Sequence, residues 1–385
     1  MSALELELYP NEIQEDPSYL TDQLITYLGN KRSLVSQLNR CFIRVQNALN
    51  GRPIRAVDLF SGSGVVSRVL KQYASYVLAN DQEPYAETIS KCYLANHADI
   101  PWKRVNSAVD RLNQEADGGK CVDGFIQHLY SPEDDNHIQK GERAFYTSDN
   151  ARRIDYFASE IRKLEPELRP YLLGPLLSEA SVHANTSGVF KGFYKDKVTG
   201  VGKFGGSGQN ALSRILKPIR LSSPVTSRFS CDIQVTRKDA NKLAHELETV
   251  DLVYIDPPYN QHPYGSNYFM LNLIVNYEPP AQISAVSGIP TDWNRSGYNK
   301  KREALTLMRD LVATLSSRFV AISFNSEGFI PISDFHHLLG EFGRYEDITI
   351  PYNTFRGSRN LRSRDIHVDE HLFLLERRNS KKGES

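Results

Sequence analysis

Residues 55–60, Arg-Ala-Val-Asp-Leu-Phe, are a short apolar and β-branched run, the composition of a buried strand. The run ends in Ser61-Gly62-Ser63-Gly64 and passes directly into residues 65–74, where Val65, Val66, Val69, Leu70 and Tyr73 share one helical face. A second strand is read at 76–79, ending at Asn80-Asp81, and a helix over 84–96 begins with proline. Further along, 251–255 (Asp-Leu-Val-Tyr-Ile) and 318–324 are strands, 299–316 is a long amphipathic helix, and 371–375 is a last strand. Strands alternating with helices constrain the chain to a parallel or mostly parallel α/β sheet.

Residues from about 102 to 228 break this alternation. Their first part is helical, with 151–164 following the cap candidates Asp149 and Asn150. Their second part, 185–210, is rich in Gly, Ser and Lys. A chain of 385 residues has room for two domains, or for one large domain with an insertion, and this stretch reads as an insertion. The whole chain carries 46 Lys+Arg and 46 Asp+Glu, which excludes a uniformly basic coat. The balance is local, however. Between 184 and 238 ten bases face only Asp196 and Asp232, a net +8, so the insertion ends in a basic, loop-rich segment.

The four cysteines, Cys41, Cys92, Cys121 and Cys231, are dispersed and form no C-x-x-C. Neither a disulfide framework nor a cysteine zinc site is expected. No apolar run approaches the roughly 18–20 residues of a membrane span, and the acidic N-terminus is unlike a signal peptide. A cytoplasmic protein without a membrane partner is expected. His367-Val368-Asp369-Glu370-His371 matches a metalloprotease pattern. That pattern needs a helix to bring its histidines together, and here it runs into a strand, so no metal is expected.

The glycine turn narrows the ligand. A dinucleotide fingerprint needs a third glycine three residues after Gly64, and Ser67 stands there. The Gly-Lys-Ser/Thr of a phosphate loop is also missing. Asp81, at the end of the next strand, is placed to accept hydrogen bonds from both hydroxyls of a ribose. Asp58 is placed to hold a cationic amino group. A ribose carrying an amino acid and no pyrophosphate describes S-adenosylmethionine. The alternative is a tight turn without a ligand.

Asp256-Pro257-Pro258-Tyr259 follows the strand 251–255 directly. A rigid turn ending a strand explains the prolines and leaves Asp256 and Tyr259 unexplained. Amine chemistry explains all four. The exocyclic amine of a base is a poor nucleophile because its lone pair is delocalised into the ring. A carboxylate and an adjacent carbonyl can accept its two protons and point the lone pair outward. Proline's fixed φ angles that carbonyl, and an aromatic beside it can stack on the base. Catalysis of this kind is positioning and electrostatics, without a covalent nucleophile.

These motifs resemble those of the N6-adenine DNA methyltransferases of the alpha arrangement, the group that includes DNA adenine methylase. Tyr27-Leu28-Gly29-Asn30-Lys31-Arg32 is similar to that family's N-terminal cofactor motif, residues 58–64 to its F-x-G-x-G motif and 256–259 to its catalytic motif. The resemblance implies a doubly wound, Rossmann-like, S-adenosylmethionine-dependent sheet with an inserted target-recognition domain. The catalytic domain would be 20–100 and 229–378, and the insertion 101–228. It implies catalytic roles for Asp256, Pro257, Pro258 and Tyr259. Tyr27, Lys31, Asp58, Phe60, Gly62, Gly64 and Asp81 would bind cofactor, and Asp232, directly after the strand-like run 227–231, would touch its adenine. Residues 323–329 resemble the late motif beside the target base. The partner implied is double-stranded DNA, in a bacterial or phage modification system whose cognate restriction endonuclease is not required for methylation.

Lys191, Lys195, Lys203, Arg214 and Arg220 in the basic segment are the DNA-binding candidates. Arg356 and Arg359, with Arg362 and Arg364, form a second cluster suited to a backbone clamp. Tyr264 is placed to line the base pocket, whereas Tyr268 and Phe269 read as core. No Pro-Cys pair exists, which argues against the cysteine route to 5-methylcytosine. Three alternatives stay open: an N4-cytosine methyltransferase, an RNA adenine methyltransferase, and a catalytically silent DNA-binding subunit.

Overall fold

The computed structural model describes residues 14–206, 208–353 and 367–378. Its centre is a seven-stranded sheet in the order β3-β2-β1-β4-β5-β7-β6. The strands are β1 (Ile54–Asp58), β2 (Ala74–Asn80), β3 (Asp232–Thr236), β4 (Val250–Ile255), β5 (Ser317–Asn325), β6 (Gly343–Asn353) and β7 (His367–Arg377). The first five are parallel, and β7 runs antiparallel to both β5 and β6. This is the mostly parallel sheet expected from the alternation, in the doubly wound, Rossmann-like form that the resemblance implied.

Alternating side chains feed two apolar layers, as the two-residue period of a strand requires. Ala56, Leu252, Tyr254 and Ala321 pack on one face with helix Val35–Ala48. Val57, Val253, Ile255 and Ile322 pack on the other with helices Ala304–Thr314 and Ile332–Phe342. A third apolar cluster lies away from the strands. It joins helix Pro84–Tyr93 to helices Trp102–Asp117, Ser148–Lys163, Arg169–Val182 and Phe269–Asn276. Its core therefore runs across residue 100 without a break.

Several local expectations shift. The helix at 148 is capped by Thr147, whose side chain accepts the Asn150 N–H. Asn150 is instead buried and ties down the basic segment, bonding the Ile215 and Lys217 carbonyls and the Ile219 N–H. The helix expected over 299–316 is a 3-10 turn, Gly297–Asn299, followed by Ala304–Thr314. The strand expected at 227–231 forms at Asp232–Thr236. β6 was not anticipated, because its charged and polar residues mask its period. Among the described residues no helix is long and apolar enough to cross a membrane.

Candidate active site

In an open parallel sheet a ligand crevice forms at the carboxyl ends of the strands where the strand order reverses. Here the reversal lies between β1 and β4. Asp58 is the last residue of β1 and pairs in register with Tyr254. Asp256 follows β4 directly. The two acids thus share the crevice.

Asn80 holds the crevice floor. Its Nδ2 donates to the Leu59 and Lys238 carbonyls at 3.1 and 3.0 Å. Its Oδ1 accepts from Thr236 Oγ1 at 2.9 Å and Lys238 N–H at 3.0 Å. One buried side chain therefore clamps the ends of β1, β2 and β3. Asp81 holds the glycine turn: one carboxylate oxygen accepts the Gly62 N–H at 2.9 Å and the other the Glu83 N–H at 3.0 Å. Gly62 and Gly64 sit at φ +49° and +76°, a region that disfavours other residues. Gly64 is also the N-cap of helix Val65–Leu70.

A cavity of about 760 Å³, its open mouth included, is lined by Tyr27, Lys31, Phe60, Gly62, Asp81 and Asp256, among others. Asp58 lies beside it, wholly buried. Its Oδ2 accepts from Ser67 Oγ at 2.6 Å. Its Oδ1 is buried and makes no hydrogen bond of good geometry, although the Phe60 N–H favours the charged form. Burial pushes this carboxyl up to about 7 against the Ser67 bond. An unpaired, desolvated carboxylate oxygen is costly alone and suits a cationic amino group.

Tyr27 packs with two rings, Tyr264 at 5.0 Å and Tyr268 at 4.9 Å, which also lie 6.0 Å from each other. The Leu28 N–H donates to the Tyr268 hydroxyl at 2.7 Å, and the Tyr264 hydroxyl donates to the Leu28 carbonyl at 3.2 Å. These contacts dock the 27–32 segment onto the chain that follows Tyr259. Tyr268 and Phe269 are buried core, as expected. Tyr268 is also a hydrogen-bond anchor, which the sequence reading missed.

Lys31 is buried, and its ammonium contacts Asp256 Oδ1 at 3.0 Å, Glu370 Oε1 at 2.8 Å and the Gly29 carbonyl at 3.2 Å. Burial opposes its charge, but the two carboxylates outweigh that and hold its pKa well above the usual lysine value. Burial raises the Asp256 carboxyl to about 6, Lys31 pulls it down and Glu370 pushes it up. Lys31 thus lines the cavity while its charge is given to the Asp256 side. Glu370 was not among the sequence candidates, since a residue over 300 positions away in the chain has no local signal.

A second, wider cleft shares Tyr27, Gly29, Asn30, Lys31 and Tyr264 with the first cavity. Pro258 lines the cavity and Tyr259 the cleft, and Pro257, between Asp256 and Pro258, is buried. The Tyr259 carbonyl accepts the Phe329 N–H at 2.9 Å, and its ring lies edge-on to Phe324 at 6.3 Å. Asn325 and Glu327 of the late motif line the same cleft. So do Lys191 and Arg214. Lys195 and Lys203 are exposed nearby in the chain.

Asp58, Gly64, Pro257, Lys195 and Lys203 line neither cavity, and Asp232 and Arg220 lie away from both. Asp232 is exposed at the amino end of β3, paired with Tyr76, whereas Thr236 pairs with Asn80 at the crevice. Four residues of strand put it about 13 Å from the crevice, too far to touch a ligand there. Arg220 is paired with Asp117, away from the cleft. Arg356 and Arg359 lie outside the described residues.

The sequence matches the D12 class N6 adenine-specific DNA methyltransferase family over residues 27–323, a span that contains Tyr27, the glycine turn and the Asp-Pro-Pro-Tyr segment. The chain belongs to this family. D12 class enzymes methylate DNA, so the protein is an enzyme whose substrate is DNA and which requires a methyl donor. It is 26% identical to the Type II methyltransferase M.NlaIII of Neisseria lactamica over 363 residues, covering 92% of this chain and 99% of the relative. It is also 26% identical to the Type II methyltransferase M.CviAII of Paramecium bursaria Chlorella virus 1, covering 91% and 98%. The modification methylase StsI of Streptococcus sanguinis matches at 26% over 91% of this chain, and about half of that relative (52%) is covered.

Proposed function

We propose that this D12 enzyme transfers a methyl group from S-adenosylmethionine to the N6 amine of an adenine flipped out of duplex DNA, as the modification member of a type II system. The observation that carries the reading is the place of Asp256, on the wall of the cavity beside the glycine turn and three residues before Tyr259 in the adjoining cleft. The donor fits the cavity's residues: Asp58 offers an unpaired buried oxygen to an amino group, Asp81 offers remaining lone pairs to a ribose, and Phe60 and Tyr27 offer apolar walls. When bound, the donor supplies an electrophilic sulfonium methyl.

This chain's residues do the rest. Flipping the base costs a few kcal/mol. Stacking on Tyr259 returns roughly 1–3 kcal/mol, by analogy with single-strand platforms. The Asp256 carboxylate and the Pro257 carbonyl accept the two amine protons and turn the nitrogen lone pair toward the methyl. Lys31 keeps Asp256 ionised. Residues 101–228 act as the target-recognition segment, with Lys191, Lys195, Lys203 and Arg214 on phosphates. A cognate restriction endonuclease is the partner such a role implies, and methylation does not require it.

Nucleoside mass spectrometry of DNA treated with the purified protein and S-adenosylmethionine tests this, with methylation-sensitive sequencing to find the site. N6-methyladenine is expected from the wild type and none from Asp256→Ala, which should still bind donor in calorimetry. An active Asp256→Ala variant would overturn the assignment.

A further inference from the structure

Glu370 lies in the His-x-x-Glu-His pattern, which the fold disperses. Consecutive strand residues point to opposite faces, so His371 turns to Asp347, at 2.9 and 3.0 Å from its two oxygens. Glu370, only 6% exposed, turns to Lys31. The Lys31 ammonium donates to the Gly29 carbonyl and forms ion pairs with both Glu370 and Asp256. β7 brings Glu370 into register with Asn325 of the late motif, whose Nδ2 reaches Glu370 Oε2 at 3.4 Å. Two acidic side chains thus share one buried ammonium beside the proposed reacting amine.

We propose that Glu370 is a positioning residue for methyl transfer, acting through Lys31 to set the place and basicity of the Asp256 carboxylate. The inference rests on the role given to Asp256 above. A carboxylate facing one buried ammonium is held ionised and is a weak base. A second carboxylate on the far side of that ammonium draws off part of its charge and makes Asp256 more basic. Asp256 then takes up the amine proton released once the nitrogen–methyl bond has formed and the sulfur–methyl bond has broken. The other groups facing Asp256 are Asp58, Tyr254 and Tyr264. Both tyrosine hydroxyls are committed, Tyr254 to Ser323 at 2.6 Å and Tyr264 to the Leu28 carbonyl at 3.2 Å.

The test is the pH profile of kcat for Glu370→Gln, Glu370→Asp and Lys31→Met. It is paired with 13C carboxyl NMR of Asp256, assigned with Asp256→Asn, which needs no turnover. Glu370→Gln should move the acid limb and the carboxyl titration down by on the order of one pH unit, and lower the plateau rate. Lys31→Met should move both up. Glu370→Asp, which keeps the charge, should return them toward wild type. Wild-type profiles and titrations in Glu370→Gln would overturn the proposal, as would shifts of the same sign in Glu370→Gln and Lys31→Met. If the wild type makes no N6-methyladenine while the NMR shifts appear as stated, the coupling stands and the reaction assignment fails.

Discussion

Replacing Gly62 with alanine probes the donor cavity at its tightest point. A Cβ there would lie 2.7 Å from the Tyr27 hydroxyl oxygen and 3.0 Å from ring atoms Cε1 and Cζ. Tyr27 cannot retreat cheaply, because its ring is packed in a cluster with Tyr264, Tyr268 and Tyr85. The left-handed backbone at φ +49° costs an L-residue about 1–2 kcal/mol. Displacing Tyr27 forfeits part of two ring contacts, each worth about 0.5–1.5 kcal/mol. The total is about 2–4 kcal/mol, or roughly 30- to 1,000-fold in an equilibrium constant. It should appear as weaker binding of S-adenosylmethionine in calorimetry, with any remainder as a lower melting temperature. Tyr27→Phe removes the atom in closest conflict, so Gly62→Ala/Tyr27→Phe should recover part of the loss but not the backbone strain. If Gly62→Ala keeps wild-type donor affinity and melting temperature, Tyr27 does not press on the turn, and the cavity reasoning is wrong.

Three further outcomes are expected. Asn80→Ala removes four hydrogen bonds that join three strand ends and should cost about 2–4 kcal/mol, read by denaturant unfolding. Asp58, raised by burial to about 7, favours its neutral form in the folded protein. Its stabilising contribution is full below about pH 4 and is lost as pH rises toward 7. A cationic donor group reverses that preference, so donor affinity should climb from about pH 5 to 7, and calorimetry should find this dependence flattened in Asp58→Asn. Lys191→Ala should weaken binding to all duplexes and lower the salt slope by about one, whereas Arg220→Ala, already paired with Asp117, should leave DNA binding unchanged. Affinity measured at several salt concentrations checks both.

The chemistry of single segments was legible in the sequence. An apolar run, a glycine pair and a helical period declare β1 and the turn after it, because strand and helix periods are local properties. Asp256 declared itself for the same reason: it is covalently next to the two prolines that shape its surroundings. The order of the motifs along the chain then carried the family resemblance.

Tertiary structure decided everything that depends on which residues from distant segments meet. A parallel strand offers only its carboxyl end to the crevice, so a shift of a few residues in the start of β3 moved Asp232 to the wrong end of the sheet. β6 stayed hidden because its polar pattern has meaning only beside β7. Lys31 was legible as a site residue, but its two carboxylate partners, Asp256 and Glu370, arrive from β4 and β7. Charge on a sequence says that a partner is needed. Strand order and register decide which partner is within 3 Å, and so whether a buried lysine holds a ligand or sets the basicity of a carboxylate.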